Sequence, residues 1–71
     1  MKSVMNGFVI KLLCVSGPRY YSTCKGDFVP VEKIEMAERF YYAHQAKKAA
    51  DDLMKSTLGK GYVVAYRVVS L

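Results

Sequence analysis

The side chains that could carry chemistry in this chain are one histidine, two cysteines and two adjacent aspartates. His44, Cys14 and Cys24 could supply at most three metal ligands, and a zinc site needs further ligands at suitable spacing. If the two cysteines lie on paired strands, they stand about four positions, or roughly 13 Å, apart. A disulfide needs Cα atoms within about 7 Å. We therefore expect two buried free thiols, a surface histidine, and no metal or cofactor.

The adjacent carboxylates Asp51 and Asp52 resemble an acid–base pair, but lysines surround them. Lys47 and Lys48 lie four residues before them, and Lys55 lies four residues after Asp51. This spacing forms ion pairs on a solvated helix face. Gly59-Lys60-Gly61 lacks the Gly-x4-Gly-Lys-Ser/Thr pattern that holds phosphates. No residue set therefore supports catalysis, and we expect a protein that is not an enzyme.

Cations interleaved with tyrosines are the residues best suited to binding. The predicted partner-binding residues are Arg19, Tyr20, Tyr21, Lys25 and Arg67. The net charge of +5 and a pI near 9.4 favour acidic partners, such as nucleic acid or an acidic protein surface. Tyrosines on a sheet can stack bases while Lys and Arg hold phosphates, although no RNP-like signature is present. Solubility alone explains the charge equally well, and tyrosines are also good strand formers.

Strands must position these residues, and the closing segment Gly61–Leu71 is the most apolar of them. Val and Tyr crowd it, which predicts a strand with apolar side chains on both faces. Phe8–Val15 is a second such strand. Residues 16–19 form a predicted turn, Tyr20–Cys24 a short edge strand, and residues 25–27 a further turn.

One long helix is predicted, and the segment before it fits either a helix or an extended chain. Residues 43–58 place four alanines, Leu53, Met54 and Thr57 near one stripe at helical spacing, which predicts a helix ended by Gly59. Extended backwards, that stripe meets Glu35 and Arg39. We therefore predict a separate helical turn at residues 31–36, with Val31 and Ile34 inside, and an extended piece at residues 38–42.

These elements predict a single α+β domain over residues 1–71, in ββ(β)αβ order. An antiparallel sheet of three to four strands would carry one helix packed on one face, with the first and last strands as central neighbours. A chain of 71 residues buries a small core, only about 60% of its unfolded surface. No apolar run approaches the ~20 residues of a membrane span, and we expect a cytoplasmic protein with no membrane association.

One helix covers only one face of the sheet, which leaves a second apolar face. Its expected members are Val9, Leu13, Val63 and Val69, the predicted self-association residues, together with Val15, Ala65 and Leu71. Lys11 and Arg67 lie within it. A contiguous apolar patch marks an interface. Three occupants stay open: a second copy that forms a homodimer, a target protein, or the chain's own N-terminal residues and loop.

The run Ile34-x-x-Ala37-x-x-Phe40, followed by Ala46-Lys-Lys-Ala49-Ala50-x-x-Leu53-Met54 and a β-rich tail, resembles short α+β proteins encoded by bacteriophages and prophages. The resemblance spans about residues 8–70 and rests on packing residues. Tyr42-Ala43 departs from it, because a Ser or Thr helix cap is usual there. The resemblance implies a small cytoplasmic protein that binds and blocks a host protein, including defence enzymes such as a CRISPR-Cas nuclease complex. The alternative is a small basic nucleic-acid-binding module.

Overall fold

The computed structural model describes residues 7–56 and 61–71, which form an α+β domain. A three-stranded antiparallel sheet has the order β2-β1-β5, and a small hairpin joins β3 to β4. The predicted fold class is therefore confirmed. The elements, in chain order, are β1 (Phe8–Cys14), β2 (Gly17–Tyr20), β3 (Thr23–Cys24), β4 (Asp27–Phe28), a 3-10 turn (Ile34–Met36), α1 (Ala43–Lys55) and β5 (Val63–Ser70).

The core lies between α1 and one face of the sheet. Alternation along β1 points Ile10, Leu12 and Cys14 towards the helix, and all three are buried. The helix contributes small side chains, Ala46 and Ala50, which let its backbone approach the strands closely. The larger core side chains therefore come mainly from the sheet.

The helix begins at Ala43, the predicted position, without a side-chain cap. Tyr42 occupies the N-cap in an extended conformation and makes no capping hydrogen bond. The described helix ends at Lys55, where the backbone N–H of Ser56 donates to the Leu53 carbonyl. Residues 57–60, including the predicted stop at Gly59, lie outside the described residues. No helix among the described residues is long and apolar enough to cross a membrane.

The first hairpin turns earlier than the sequence predicts. Residues 17–20 were expected to belong mostly to a turn, but Gly17 pairs with Cys14, and Tyr20 pairs with Lys11. Gly17 makes the tight reversal with a φ of +119°, a conformation that L side chains rarely adopt. Cys14 therefore lies opposite Gly17, because the turn is only two residues long.

The predicted second strand also ends sooner, and Cys24 belongs to a separate hairpin. Thr23 pairs with Phe28, and Cys24 pairs with Asp27. Both cysteines are free, as expected, but Cys24 is exposed while Cys14 is buried. The expectation of two buried thiols was therefore wrong for Cys24, because it lies next to a hairpin tip rather than against β1.

The β3–β4 turn has a non-glycine residue in a glycine-like conformation. Lys25 has a φ of +54° and Gly26 a φ of +84°, the two positive values of a type I′ turn, in which Asn-Gly is favoured. Lys25→Asn should therefore raise the free energy of unfolding by a few tenths to about 1 kcal/mol. Urea unfolding measures it. Lys33→Asn, in extended backbone (φ −109°), is the control, and an equal gain there would contradict the turn argument.

The ambiguous segment is broken, as the helical phase predicted. A 3-10 turn covers Ile34–Met36, and the chain then runs extended to the helix. Val31 bridges Tyr20 on the outer edge of β2, and Phe40 bridges Phe8 at the start of β1. Ile34 is 38% exposed, so its predicted inner contact was wrong: three residues of 3-10 structure are too short to turn both Val31 and Ile34 inwards.

A bulge in β5 changes the faces of the closing strand. Leu13 pairs with Ala65 and Cys14 pairs with Val63, so Val64 is an extra residue. Val63 therefore faces the core at 5% exposure, while Val64 is 60% exposed. Strict alternation had placed these two valines the other way round. Beyond the bulge, Tyr66 and Val68 face the helix as predicted.

Candidate binding face

The face of the sheet away from α1 is partly uncovered. Directly paired residues share a face in an antiparallel sheet, and the pairings of β1 with β2 and β5 therefore assign this surface. Leu13 is 53% exposed and Val15 68% exposed. We call this surface the open face and define it by two rows, each crossing all three strands: Tyr20, Lys11 and Arg67, then Pro18, Leu13 and Ala65.

Two cations stand directly opposite each other on the open face. Lys11 of β1 pairs with Arg67 of β5, and both side chains are exposed. Neither of them forms an ion pair within the part of the chain that the structure describes, where the ion pairs are Arg19–Glu32 and Lys48–Asp52. Like charges directly opposite on neighbouring strands destabilise a sheet. The pair therefore concentrates positive charge, and no carboxylate of the described residues forms an ion pair with either cation.

A shallow depression of about 350 Å³ lies beside these cations. Its lining combines apolar residues with the two positive charges. The lining residues come from all three strands: Lys11, Leu12, Leu13, Pro18, Ala65, Tyr66 and Arg67. An amphipathic group fits this chemistry, with an apolar part against Leu13 and Ala65 and an anionic part between the cations.

The structure brings together two of the five predicted partner-binding residues. Tyr20 and Arg67 share a row of the open face with Lys11, which the sequence had placed in the face but not among the contacts. Lys25 is exposed at the tip of the β3–β4 hairpin, in a different element. Lys11 and Arg67 are 56 positions apart in the sequence, and the register of the sheet brings them side by side. No short stretch of the sequence indicates this pairing.

Arg19 and Tyr21 are engaged elsewhere in the fold. Arg19 pairs with Leu12, whose side chain faces the helix, and its guanidinium lies 3.6 Å from Glu32. Tyr21 packs on the core, with its ring 5.6 Å from that of Phe28 and 6.0 Å from that of Phe40. Burial, with the nearby Glu38 and Asp52 carboxylates, raises the pKa of Tyr21. These two residues support the sheet rather than the open face.

The predicted self-association residues do not form one exposed surface. Val63 belongs to the core, because the bulge at Val64 turns it towards α1, and Val9 is fully buried. Neither side chain is exposed to a partner in this structure. Val69 pairs with Val9 and is half-buried, and Leu13 is exposed on the open face. Of the four, Leu13 is the one that a partner can reach most readily.

The chemistry-bearing side chains are scattered. His44 stacks on the Tyr42 ring at 5.5 Å on the exposed start of α1. Burial raises the pKa of the Cys14 thiol, against the opposing effects of the Tyr62 hydroxyl and Arg19, and this keeps the thiol protonated and unreactive. No group of three or more metal-ligating side chains occurs within residues 7–56 and 61–71.

A hydrogen bond between α1 and β5 holds the sheet beneath the depression. The Tyr66 hydroxyl donates to Asp51 Oδ1 at 2.6 Å, and this bond is the main cause that raises the pKa of Tyr66 above its usual 10.0. A group whose pKa is raised by folding stabilises the fold below its unfolded pKa, and that contribution is lost as pH rises through the folded pKa.

Tyr66→Phe should therefore flatten the alkaline loss of stability. Wild-type unfolding free energy should begin to fall above about pH 10, where the unfolded tyrosine ionises first, and the variant should fall less steeply. Urea unfolding between about pH 8 and pH 11 measures both slopes. Tyr41→Phe, at a 79% exposed residue, is the control. Identical slopes for wild type and Tyr66→Phe would show that the bond contributes nothing.

No protein-family model, curated protein or solved structure matches this chain. Assignment of function therefore rests on the geometry and charge of the open face.

Proposed function

We propose that this protein is a non-enzymatic binding protein that holds an acidic segment of another protein on its open face. The observation that carries the proposal is the pair Lys11 and Arg67, opposed across two strands without a carboxylate partner in the described chain. Such a pair costs stability in the free protein. A carboxylate placed between the two cations would remove that cost and gain charge-assisted hydrogen bonds.

The apolar row beside the cations supports a protein partner. Leu13 and Ala65, with Pro18, give a surface for an apolar side chain next to the carboxylate site. Charge would steer the encounter, because the net charge is +5, and burial of the exposed leucine would supply affinity. In a suitable acidic segment, a Glu or Asp would contact Lys11 and Arg67, and a neighbouring apolar residue would pack on Leu13.

The resemblance to phage proteins adds a biological setting to this proposal. The partner would be a host protein in the host cytoplasm, and binding would block it. Defence nuclease complexes such as CRISPR-Cas are the class that the resemblance names. An acidic patch on such a complex has the charge that Lys11 and Arg67 require.

Differential capture tests the proposal. The protein is immobilised and exposed to a bacterial lysate at about 50 mM and about 500 mM salt, spanning weak and strong charge screening. Leu13→Glu should lose a partner that wild type retains, because it puts an acid in the apolar row. Met36→Glu, at a 61% exposed residue of the 3-10 turn, changes the charge equally and should retain it.

Equal retention of every captured protein by the two variants would contradict the open face as the binding site. The salt series separates the two contributions. A partner held by the cations should weaken at high salt, while one held by Leu13 alone should not.

Nucleic acid is the second candidate, and Tyr20 favours it. This tyrosine lies in the same row as Lys11 and Arg67, so one base could stack on it while the cations contact phosphates. Tyr21, packed on Phe28 and Phe40, is not available for a second base. A labelled single strand and duplex at about 50 mM salt test this. Binding that Tyr20→Ala removes would support it, and no binding would reject it.

A further inference from the structure

The two edges of the main sheet differ in whether another segment of the described chain forms backbone hydrogen bonds with them. On the β2 edge, the chain returns and pairs with itself: Tyr20 and Val31 exchange two backbone hydrogen bonds, at 2.7 and 3.0 Å. On the other edge, β5 pairs with β1 and with no further strand in the described part of the chain. Within residues 7–56 and 61–71, one edge is thus partly covered and the other is uncovered.

The register shows which β5 groups face outwards. The Leu71 N–H donates to the Gly7 carbonyl at 2.9 Å. In this register, the odd-numbered residues of β5 are the ones whose backbone groups form hydrogen bonds with β1. Backbone groups alternate in direction along an antiparallel strand. The N–H and C=O groups of Tyr66, Val68 and Ser70 therefore point away from the sheet. This edge has no proline and one charge, Arg67, so it lacks most of the devices that protect edges.

We propose that two copies of this chain pair through β5, antiparallel and centred on Val68, to form a continuous six-stranded sheet. In this register, Val68 pairs with Val68 of the second copy. Tyr66 pairs with Ser70 of the second copy, and Ser70 with its Tyr66. Tyr66, Val68 and Ser70 of the two copies together supply six N–H groups and six C=O groups. These form six backbone hydrogen bonds between the copies, and none is left without a partner. This association goes beyond the proposed function, because it uses the outward backbone groups of β5 rather than the side chains of the open face.

The position of the bulge selects this register. Val64 interrupts the regular strand, so the regular run begins at Ala65 and continues to Leu71, which still pairs with Gly7. Val68 is the midpoint of that run. A two-fold axis at Val68 therefore pairs every regular residue and leaves the bulge outside the contact. An axis two residues earlier would draw the bulge into the ladder and disrupt it.

Charge also disfavours the neighbouring register, while the match of residues 65–71 to their own inverted copy about Val68 favours a second copy as the occupant. An axis at Arg67 would oppose two arginines directly, which is unfavourable. The axis at Val68 places Arg67 opposite Val69 of the second copy, and Ala65 opposite Leu71. The contact on the open-face side is therefore apolar apart from Arg67 of each copy, which faces a valine rather than a second arginine. Since Val31 covers part of the β2 edge, the pairing closes as a dimer and does not extend into a fibre.

Proline at Ser70 tests the proposal with little effect on the monomer. Ser70 is exposed and its N–H points outwards, so Ser70→Pro removes no hydrogen bond to β1. It removes two of the six intermolecular bonds and blocks the approach of the second strand. The dimer dissociation constant, from sedimentation equilibrium of the full chain, should rise at least about 10-fold. Ser70→Ala is the matched control and should leave it unchanged.

Amide hydrogen exchange identifies the register directly. Protection of the Tyr66, Val68 and Ser70 amides should rise with protein concentration, while the amides of Arg67 and Val69 are protected at every concentration. A wild-type chain that stays monomeric at millimolar concentration would overturn the proposal. So would a dimer that Ser70→Pro leaves intact but Leu13→Glu dissociates, because the copies would then meet through the open face. That last outcome would leave the proposed function to be judged by the capture experiment alone.

Discussion

Leu12→Ala is expected to remove a large part of the free energy of unfolding, while Leu13→Ala should leave it almost unchanged. Leu12 is fully buried between β1 and α1, and Leu13 is 53% exposed on the opposite face. Removing a buried leucine costs about 2–5 kcal/mol, including the cavity. A domain of 71 residues has a total stability of roughly 4–10 kcal/mol. The loss at Leu12 is therefore a large part of the whole.

Chemical denaturation of the two variants measures this difference. The two substitutions remove the same atoms from adjacent positions, so differences in helix or strand propensity cancel. The expected cost at Leu13 is within about 0.5 kcal/mol. If the self-association proposed for β5 contributes to stability, both variants should be compared at one low protein concentration. A cost at Leu13 similar to that at Leu12 would show that the open face is covered in solution.

Alternation and periodicity predicted the parts of the fold that regular elements determine. Ile10 and Leu12 face the helix because strand side chains alternate, and Ala46 and Ala50 meet them because the helix repeats every 3.6 residues. The break before the helix followed from the same phase, since a continued helix would have buried Glu35. These features depend on short-range spacing, which one sequence displays.

Irregular backbone was not predictable in the same way. The bulge at Val64 inverts the faces at the start of β5, and no residue type there distinguishes it from a regular strand. The strand β2 begins at Gly17, three residues before the predicted start at Tyr20. The two-residue turn allows more residues of β1 to form backbone hydrogen bonds than the longer turn that Pro18 suggested. Each local change altered which side chains share a face.

The candidate site depends on that register, and so the sequence revealed only part of it. Arg67 and Lys11 were each recognised as cations within an apolar face, but their direct opposition required the pairing of β1 with β5. Tyr21 follows Tyr20 in sequence, yet it belongs to the core because the chain leaves β2 at that point. A cluster of adjacent binding residues was the simpler interpretation, and the fold divided it.

Arg67→Glu should stabilise the free protein and weaken partner binding at the same time. It replaces two opposed cations with an opposed Lys–Glu pair, which should raise the free energy of unfolding by about 0.5 to 1 kcal/mol. The same change repels an acidic partner and should lower its affinity at least about 10-fold. Lys33→Glu alters the net charge of +5 equally at an exposed residue off the sheet. It should reproduce neither effect.

A charge-exchange cycle isolates the contact between the two side chains. Lys11→Glu and Arg67→Glu should each stabilise the chain, but the double variant should lose both gains, because two carboxylates then face each other. Additive effects in urea unfolding would mean that the residues do not interact. Non-additivity with unchanged partner binding would make the opposed cations a feature of the sheet alone. If the single variants gain stability and also lose partner binding, the result supports a role of the two opposed cations in binding. Neither result alone supports that role.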